Sequence, residues 1–273
     1  FLRSPGAATS VLLGATVLAL ILANSPSSEQ YFQIVNHHIG NLTILEWVND
    51  ALMAIFFLFV GLEVKRELVS GELNTNAKRV MPGIAALFGV LTPAFIYYLI
   101  AGFHSEYIHG WAIPTATDIA FSIGIISALG SRVPNSMKVF LTALAVIDDL
   151  IAIIVIAIFY ASSIHMMYLG AAVVVVAALI YCNKQGYVRP LPYIILGFIL
   201  WYCVLKSGLH ATMAGVILAM TIPSKGKRGR KYVRPMQHWE HLLSNWVSFL
   251  IVPIFAFFNA CLLYTSDAAD DSL

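Results

Sequence analysis

Nine apolar stretches occupy residues 6–23, 47–64, 81–101, 112–129, 137–160, 167–182, 191–205, 209–223 and 242–260. A helix crossing about 30 Å of hydrocarbon needs about 20 mostly apolar residues, so this succession restricts the fold more than any other feature. The chain of 273 residues is 59% hydrophobic and 11% charged, with a mean hydropathy of +0.82, outside the range of an ordinary soluble domain. The expected class is an all-α polytopic membrane protein of about nine transmembrane helices, with one transmembrane domain over residues 1–260. The shortest stretches are expected to be tilted or broken helices, tolerated inside a bundle where irregular backbone lines a cavity.

The loops test the count. If the N-terminus is cytoplasmic, the inside segments hold Arg3, then Lys65, Arg66, Lys78 and Arg79, then Arg132 and Lys138, then Lys184 and Arg189, then six residues from Lys225 to Arg234. Fifteen of the sixteen basic residues fall there, and only Lys206 falls outside. That bias follows the positive-inside rule, and one misplaced span would scramble it. Read alone, the first stretch with Arg3 resembles a signal peptide; eight further spans make it the first of a series. The bilayer is thus the expected partner. Basic residues scattered in short clusters argue against nucleic acid, and no feature points to a soluble protein partner.

The outside stretch 24–46 is polar, and Gly40-Asn41 suits a tight turn, so a β-hairpin over 31–45 and an ordinary loop both fit. A lone ribbon is marginal, which suggests pairing with a second protomer. Cys182, Cys203 and Cys261 show no paired spacing and read as apolar fillers. After Ala260 the pattern gives way to "CLLYTSDAADDSL", which holds three of the fourteen acidic residues. Residues 261–273 therefore read as a foreign tail, of artefactual origin.

Against this background "ALAVIDDLIAII" stands out, because Asp148 and Asp149 lie near the centre of the fifth stretch. An aspartate at the bilayer midplane costs about 2.5–3.5 kcal/mol on insertion scales, and such residues face cavities or partners and mark ion or proton paths. The bland reading is a structural hydrogen-bonding pair between helices. A second site lies in "WAIPTATDIAFSIG", where Asp118 follows Pro114, Thr115 and Thr117. Proline breaks the hydrogen-bond ladder, predicting a broken helix around 114–118 whose hydroxyls and freed carbonyls suit a hard cation; the alternative is a kinked helix satisfying its own backbone. Desolvation and a like-charged neighbour both favour a protonated carboxylate, so such groups can hold protons near neutral pH. Oxygen donors also bind small hard cations. Protons and cations then compete for one site, and alternate exposure of that site exchanges them.

The stretches "NDALMAIFFLFVGLEVKREL", "WAIPTATDIAFSIG", "GSRVP", "FLTALAVIDDLIAIIVIAIFY" and "LKSGLHATMAGV", in this order, closely resemble the NhaA-type bacterial sodium/proton antiporters, over about residues 6–260. The resemblance implies a fold of inverted repeats with broken helices crossing near the midplane, in the bacterial inner membrane. It implies electrogenic, pH-regulated exchange of Na+ or Li+ for H+, with no resident cofactor and no enzymatic step. Asp148 and Asp149 would bind the ion and exchange protons, Thr117 would lie beside it, and Asp118 would compensate half-helix dipoles. The outside hairpin at 31–45 would form a homodimer. Positions matching the family's pH regulation are Glu63, Lys65, Glu67, His210, Glu240 and His241. Physically, Glu63 and Glu67 share a helix face at i, i+4 and repel unless Arg66 screens them, and histidine is the side chain that changes charge near neutrality. The plainer reading is that charges at a span's end anchor it, and that His210 is a packing residue. Ser244-Asn245 replace the usual His-Pro. The family's later helices and their membrane lysine have no counterpart here, so the expectation is a C-terminally truncated copy carrying half of the ion site.

Two other classes compete with this reading. An intramembrane aspartyl protease uses two membrane aspartates as acid and base, but draws them from two helices, usually with GxGD, which does not occur here. A proton-coupled organic-solute transporter calls for a polar or aromatic-lined pocket beyond the carboxylates.

Overall fold

A computed structural model of the chain describes residues 5–71, 75–101, 110–112, 133–134, scattered positions within 136–155, 165–228 and 231–260. The architecture is helical: α1 (Pro5–Ala23), α2 (Ser28–Val35), α3 (Ile44–Ser70), α4 (Asn76–Ala101), α5 (Met166–Lys184), α6 (Pro190–Ser207), α7 (Met213–Thr221) and α8 (Pro235–Asn259). Two short antiparallel ribbons complete it, β1 (His38–Ile39) with β2 (Leu42–Thr43) and β3 (Gly226–Arg228) with β4 (Lys231–Val233). The described residues between 136 and 155 are helical as well.

Among the described residues five helices are long and apolar enough to cross a membrane, α3, the Arg79–Ala101 part of α4, α5, α6 and α8. A sixth is reached if α1 and α2, bent by 117° at the break between them, count as one span. This is a polytopic helical membrane protein. The stretch 112–129, with the expected break at 114–118, and the tail 261–273 lie outside the described residues.

Local chemistry sets the boundaries. Proline opens α6 and α8, where its missing N–H costs nothing and its φ is preset. A capping box opens α3: the Thr43 hydroxyl accepts from the Glu46 amide at 3.2 Å, while the Thr43 amide donates to Glu46 Oε2 at 2.7 Å. Gly208, at φ +84°, ends α6 in the left-handed conformation.

One short stretch is broken, as expected of the shortest, and the outside ribbon departs from the periodicity reading. Residues 209–223 form no continuous crossing: backbone from Gly208 to Thr212 is non-helical and α7 has only nine residues, about 14 Å of helix. Gly208 terminates the preceding helix and Pro223 prevents continuation, so the apolar run is a half-helix within the bundle. The hairpin is also shorter than 31–45. Its turn falls at Gly40-Asn41, with Gly40 at φ +69°, but residues 28–35 are helical. Tyr31 and Val35, four apart, share the buried face of α2, a helical period that loose alternation obscured.

The core lies between α3, α5, α6 and α7, where Leu62, Leu179, Leu200 and Ala219 are fully buried. Small residues set the closest approach. A Cβ on Gly215 of α7 would run into the Ala54 carbonyl and the Leu58 amide of α3, and one on Gly61 would stand 2.7 Å from the Ala219 Cβ. Large apolar side chains such as Phe88, Phe95, Val174 and Phe198 point outward and are exposed. In water these would be a liability; facing lipid they cost nothing.

Candidate functional site

The organising element is α3, with α7 running parallel beside it. Ala54 meets Gly215, Gly61 meets Ala219, and Lys65 reaches Ile222. The span α8 runs the other way, with Glu240 near Arg66 and Asn259 near Asn49. Asp50 and Lys65 mark the two ends of this trio, fifteen residues or about 22 Å apart along α3.

At the Lys65 end, Arg66 gathers three carboxylates. Its Nη2 lies 2.9 Å from Glu67 Oε1 and 3.7 Å from Glu63 Oε1, and its Nη1 lies 3.0 Å from Glu240 Oε1 on α8. The Glu67 and Glu240 side chains are only 12% and 13% exposed, so this charge is poorly screened by water. Lys65 does not join them. Its ammonium donates to the carbonyls of Ala219 (3.3 Å), Met220 (2.7 Å) and Ile222, while Asn183 Nδ2 from α5 donates to the Thr221 carbonyl. Four consecutive carbonyls at the end of α7 are thus taken up by side chains of neighbouring helices. Those carbonyls have no partners within the helix, and a cation there also complements the helix dipole.

The opposite end is built differently. Trp47 and Trp201 stack with ring centres 5.9 Å apart, and the Trp201 indole N–H donates to the Asp50 carbonyl at 3.0 Å. Asn259 Nδ2 donates to Asn49 Oδ1 at 2.8 Å, and the Tyr31 hydroxyl to the Phe257 carbonyl at 2.7 Å. At this end α3 widens into a π-helical turn, Trp47–Leu52, and α8 has one near its middle, Val247–Ile251; such turns concentrate at functional sites.

Between the ends lies the segment carrying the aspartate pair. Ala143 and Ile147 pack with Val60 and Val64 of α3 and Val216 of α7, and the adjacent Asp148 is 7% exposed while Ile154 is 48% exposed. One side of this helix therefore faces the α3–α7 pair and another faces outward. Asp149, Thr117 and Asp118 lie outside the described residues, so the geometry of the ion set rests here on Asp148.

The structure brings Glu63, Glu67 and Glu240 together and puts Lys65 one residue from their shared arginine. His241 is exposed beside Glu240. His210 is not part of this group, because it sits in the break before α7, at the Asp50 end. Several residues escaped the sequence reading. Asp50 lies at the end of an apolar stretch, where the midplane insertion cost that singles out Asp148 does not apply. Arg66 is legible as the screen between Glu63 and Glu67, but its third partner Glu240, and Asn183 as a cap on the Thr221 carbonyl, carry no local sequence signal, since those partners are distant in the chain.

A bundle of membrane helices with a buried aspartate on one of them and a charged cluster at one end of a half-helix defines a polytopic helical membrane protein. The model of the Na+/H+ antiporter 1 family matches residues 1–273. The Na(+)/H(+) antiporter NhaA of Mesorhizobium japonicum is 54% identical over 263 residues, covering 95% of this chain and 66% of the relative. The NhaA proteins of Brucella ovis and Rhizobium etli are 50% identical over 262 residues and 47% over 273, covering 95% and 98% of this chain and 67% and 70% of those relatives. The chain spans about two thirds of the length of these relatives. It belongs to the Na+/H+ antiporter 1 family.

Proposed function

We propose that this protein serves electrogenic exchange of Na+ or Li+ for H+ across the bacterial inner membrane, with about nine spans and a cytoplasmic N-terminus. The observation that carries the reading is the burial of Asp148 on a membrane helix whose Ala143 and Ile147 pack against α3 and α7. Buried carboxylates in membrane spans mark ion and proton paths, and this one takes up a proton and a sodium ion in turn. Asp148 and Asp149 hold the ion or the protons alternately, Thr117 adds an oxygen ligand, and Asp118 offsets the dipole ends of the broken helix. Transport needs no resident cofactor and no bond-making step; Na+, Li+ and H+ are cargo.

Regulation by pH is assigned to Glu63, Lys65, Glu67 and Glu240 with His241 beside it, and to His210 at the far end. The Lys65 end is the cytoplasmic one in this proposal, and the β1–β2 ribbon at the other end joins two protomers.

The test uses everted membrane vesicles carrying the protein expressed from its complete gene. Sodium added to vesicles holding a proton gradient should dissipate the gradient. The Asp149→Asn variant should lose this response, by about a hundredfold or more in rate if the carboxylate is the exchanging group. A wild-type gradient indifferent to sodium and lithium would end the proposal.

A further inference from the structure

We propose that His38 and Glu46 from two copies of this chain together hold one divalent transition-metal ion, of the Zn2+ class, across the twofold axis of the β1–β2 ribbon. The site rests on that ribbon's joining two protomers, and backbone hydrogen bonds decide which of its edges does so. The Ile44 amide donates to the His37 carbonyl at 3.0 Å, so the next pair, His38 with Thr43, turns its backbone groups outward. On the β2 edge the Thr43 amide is already taken by Glu46 Oε2 at 2.7 Å. On the β1 edge the His38 amide and carbonyl have no partner among the described residues, and His38 is exposed. An open strand edge is a template for another strand, so β1 is the edge that receives the second copy.

Two β1 edges meeting about a twofold axis exchange amide and carbonyl between His38 and the same residue of the second copy. Residues paired in this way have Cα atoms about 5.5 Å apart and side chains on one face. The two imidazoles therefore stand side by side. Thr43, directly across the ribbon from His38, brings a carboxylate to the same face: Glu46 Oε2 accepts from the Thr43 amide and, at 3.0 Å, from its hydroxyl. Both bonds fall on Oε2 and leave Oε1 for a cation, and His38 lies within electrostatic reach of this carboxylate. Among the described residues of one chain, no three His, Cys, Asp or Glu side chains are placed to hold a metal. The axis doubles the pair to two imidazoles and two carboxylates, four ligands of the kinds zinc takes in tetrahedral sites. The ribbon is also fixed in place, since the Trp47 indole donates to the Ile39 carbonyl at 3.0 Å while its ring stacks on Trp201. Ligands on a fixed ribbon lose little freedom on binding.

The protein expressed from its complete gene is purified in mild detergent, and its monomer–dimer equilibrium is followed by native mass spectrometry with and without ZnCl2. Zinc at about a hundred times its dissociation constant should tighten the dimer about a hundredfold, with one ion per two chains, and EDTA should reverse the change. His38→Gln should lose the response and Glu46→Gln should weaken it, whereas His37→Gln, on the other face of the strand, should keep it. His38→Cys should form an intermolecular disulfide absent from wild type, because Cα atoms about 5.5 Å apart suit one. A dimer indifferent to zinc, one ion bound per chain, or a His38→Gln variant as responsive as wild type would overturn the site. If His38→Cys still cross-links in that case, the ribbon reading stands without the metal; if it does not, the pairing of the ribbons falls as well. None of these outcomes depends on sodium transport.

Discussion

The two ends of the α3–α7–α8 trio join the same helices by opposite means. At the Lys65 end, α3 is tied to α8 by Arg66 among three carboxylates and to α7 by an ammonium on helix-terminal carbonyls. At the Asp50 end the ties are a tryptophan stack, an indole N–H on a backbone carbonyl and an amide pair. The first set is charged and answers to pH and salt; the second is built from neutral donors and acceptors. One end of the bundle can therefore loosen under conditions that leave the other intact. A half-helix such as α7, fixed by a lysine at one end and preceded by non-helical backbone at the other, can respond to that asymmetry.

Arg66→Ala should break the comparison most strongly. It leaves Glu63, Glu67 and Glu240 facing one another with their shared cation gone. Removing one partner of a buried ion pair costs about 3–5 kcal/mol, but Arg66 is about one-third exposed, which reduces the expected loss to about 2 kcal/mol. Falling pH should stabilise the variant more than wild type, because protonation there relieves repulsion with no arginine partner to lose. Thermal unfolding in detergent across a pH series reads the difference, and identical slopes would sink the argument.

Lys65→Met comes next, at about 1–3 kcal/mol, the penalty for leaving buried carbonyls without a donor. Hydrogen exchange should rise in Ala219–Ile222 while Trp47–Leu52 keeps its protection. Lys65→Arg should recover part of the loss, since it restores charge without the compact ammonium geometry.

The same contrast explains what was legible in the sequence. Apolar run length revealed the long helices because lipid demands about 20 apolar residues whatever the tertiary packing, and α5 and α6 follow it closely. The insertion cost of a carboxylate marked Asp148 for the same reason. Residues 209–223 were legible as a short stretch open to being broken, but not where the break falls, because a half-helix buried among others is as apolar as a crossing one, and only Gly208 and Pro223 mark its limits. The Lys65 end was legible as charged, yet which charge meets which is a tertiary fact: Lys65 and Arg66 are neighbours in sequence and serve different helices. The Asp50 end was hardly legible at all, because Trp47, Trp201, Asn49 and Asn259 look like ordinary residues of apolar spans.

Trp201→Phe tests that neutral end. It keeps an aromatic ring against Trp47 but removes the N–H on the Asp50 carbonyl, at about 1 kcal/mol. The loss should be independent of pH and salt; a loss that grows with salt would mean that the two ends are not distinct.

The smallest effect is expected from Asn259→Ala, which deletes the neutral hydrogen bond to Asn49, worth about 0.5–1.5 kcal/mol net, and a local one to the Phe255 carbonyl. Its value lies in a double-mutant cycle with Asn49→Ala. If the pair acts alone, Asn49→Ala should add almost nothing once Asn259 is gone, and the coupling should equal the Asn49→Ala loss. Combined with Arg66→Ala instead, Asn259→Ala should be additive, because the two sites lie at opposite ends of α3 and share no partner. A coupling between them above about 0.5 kcal/mol would show that α3 passes strain along its length. The bundle would then respond to the charged cluster as one body, and the independence of its two ends would have to be given up.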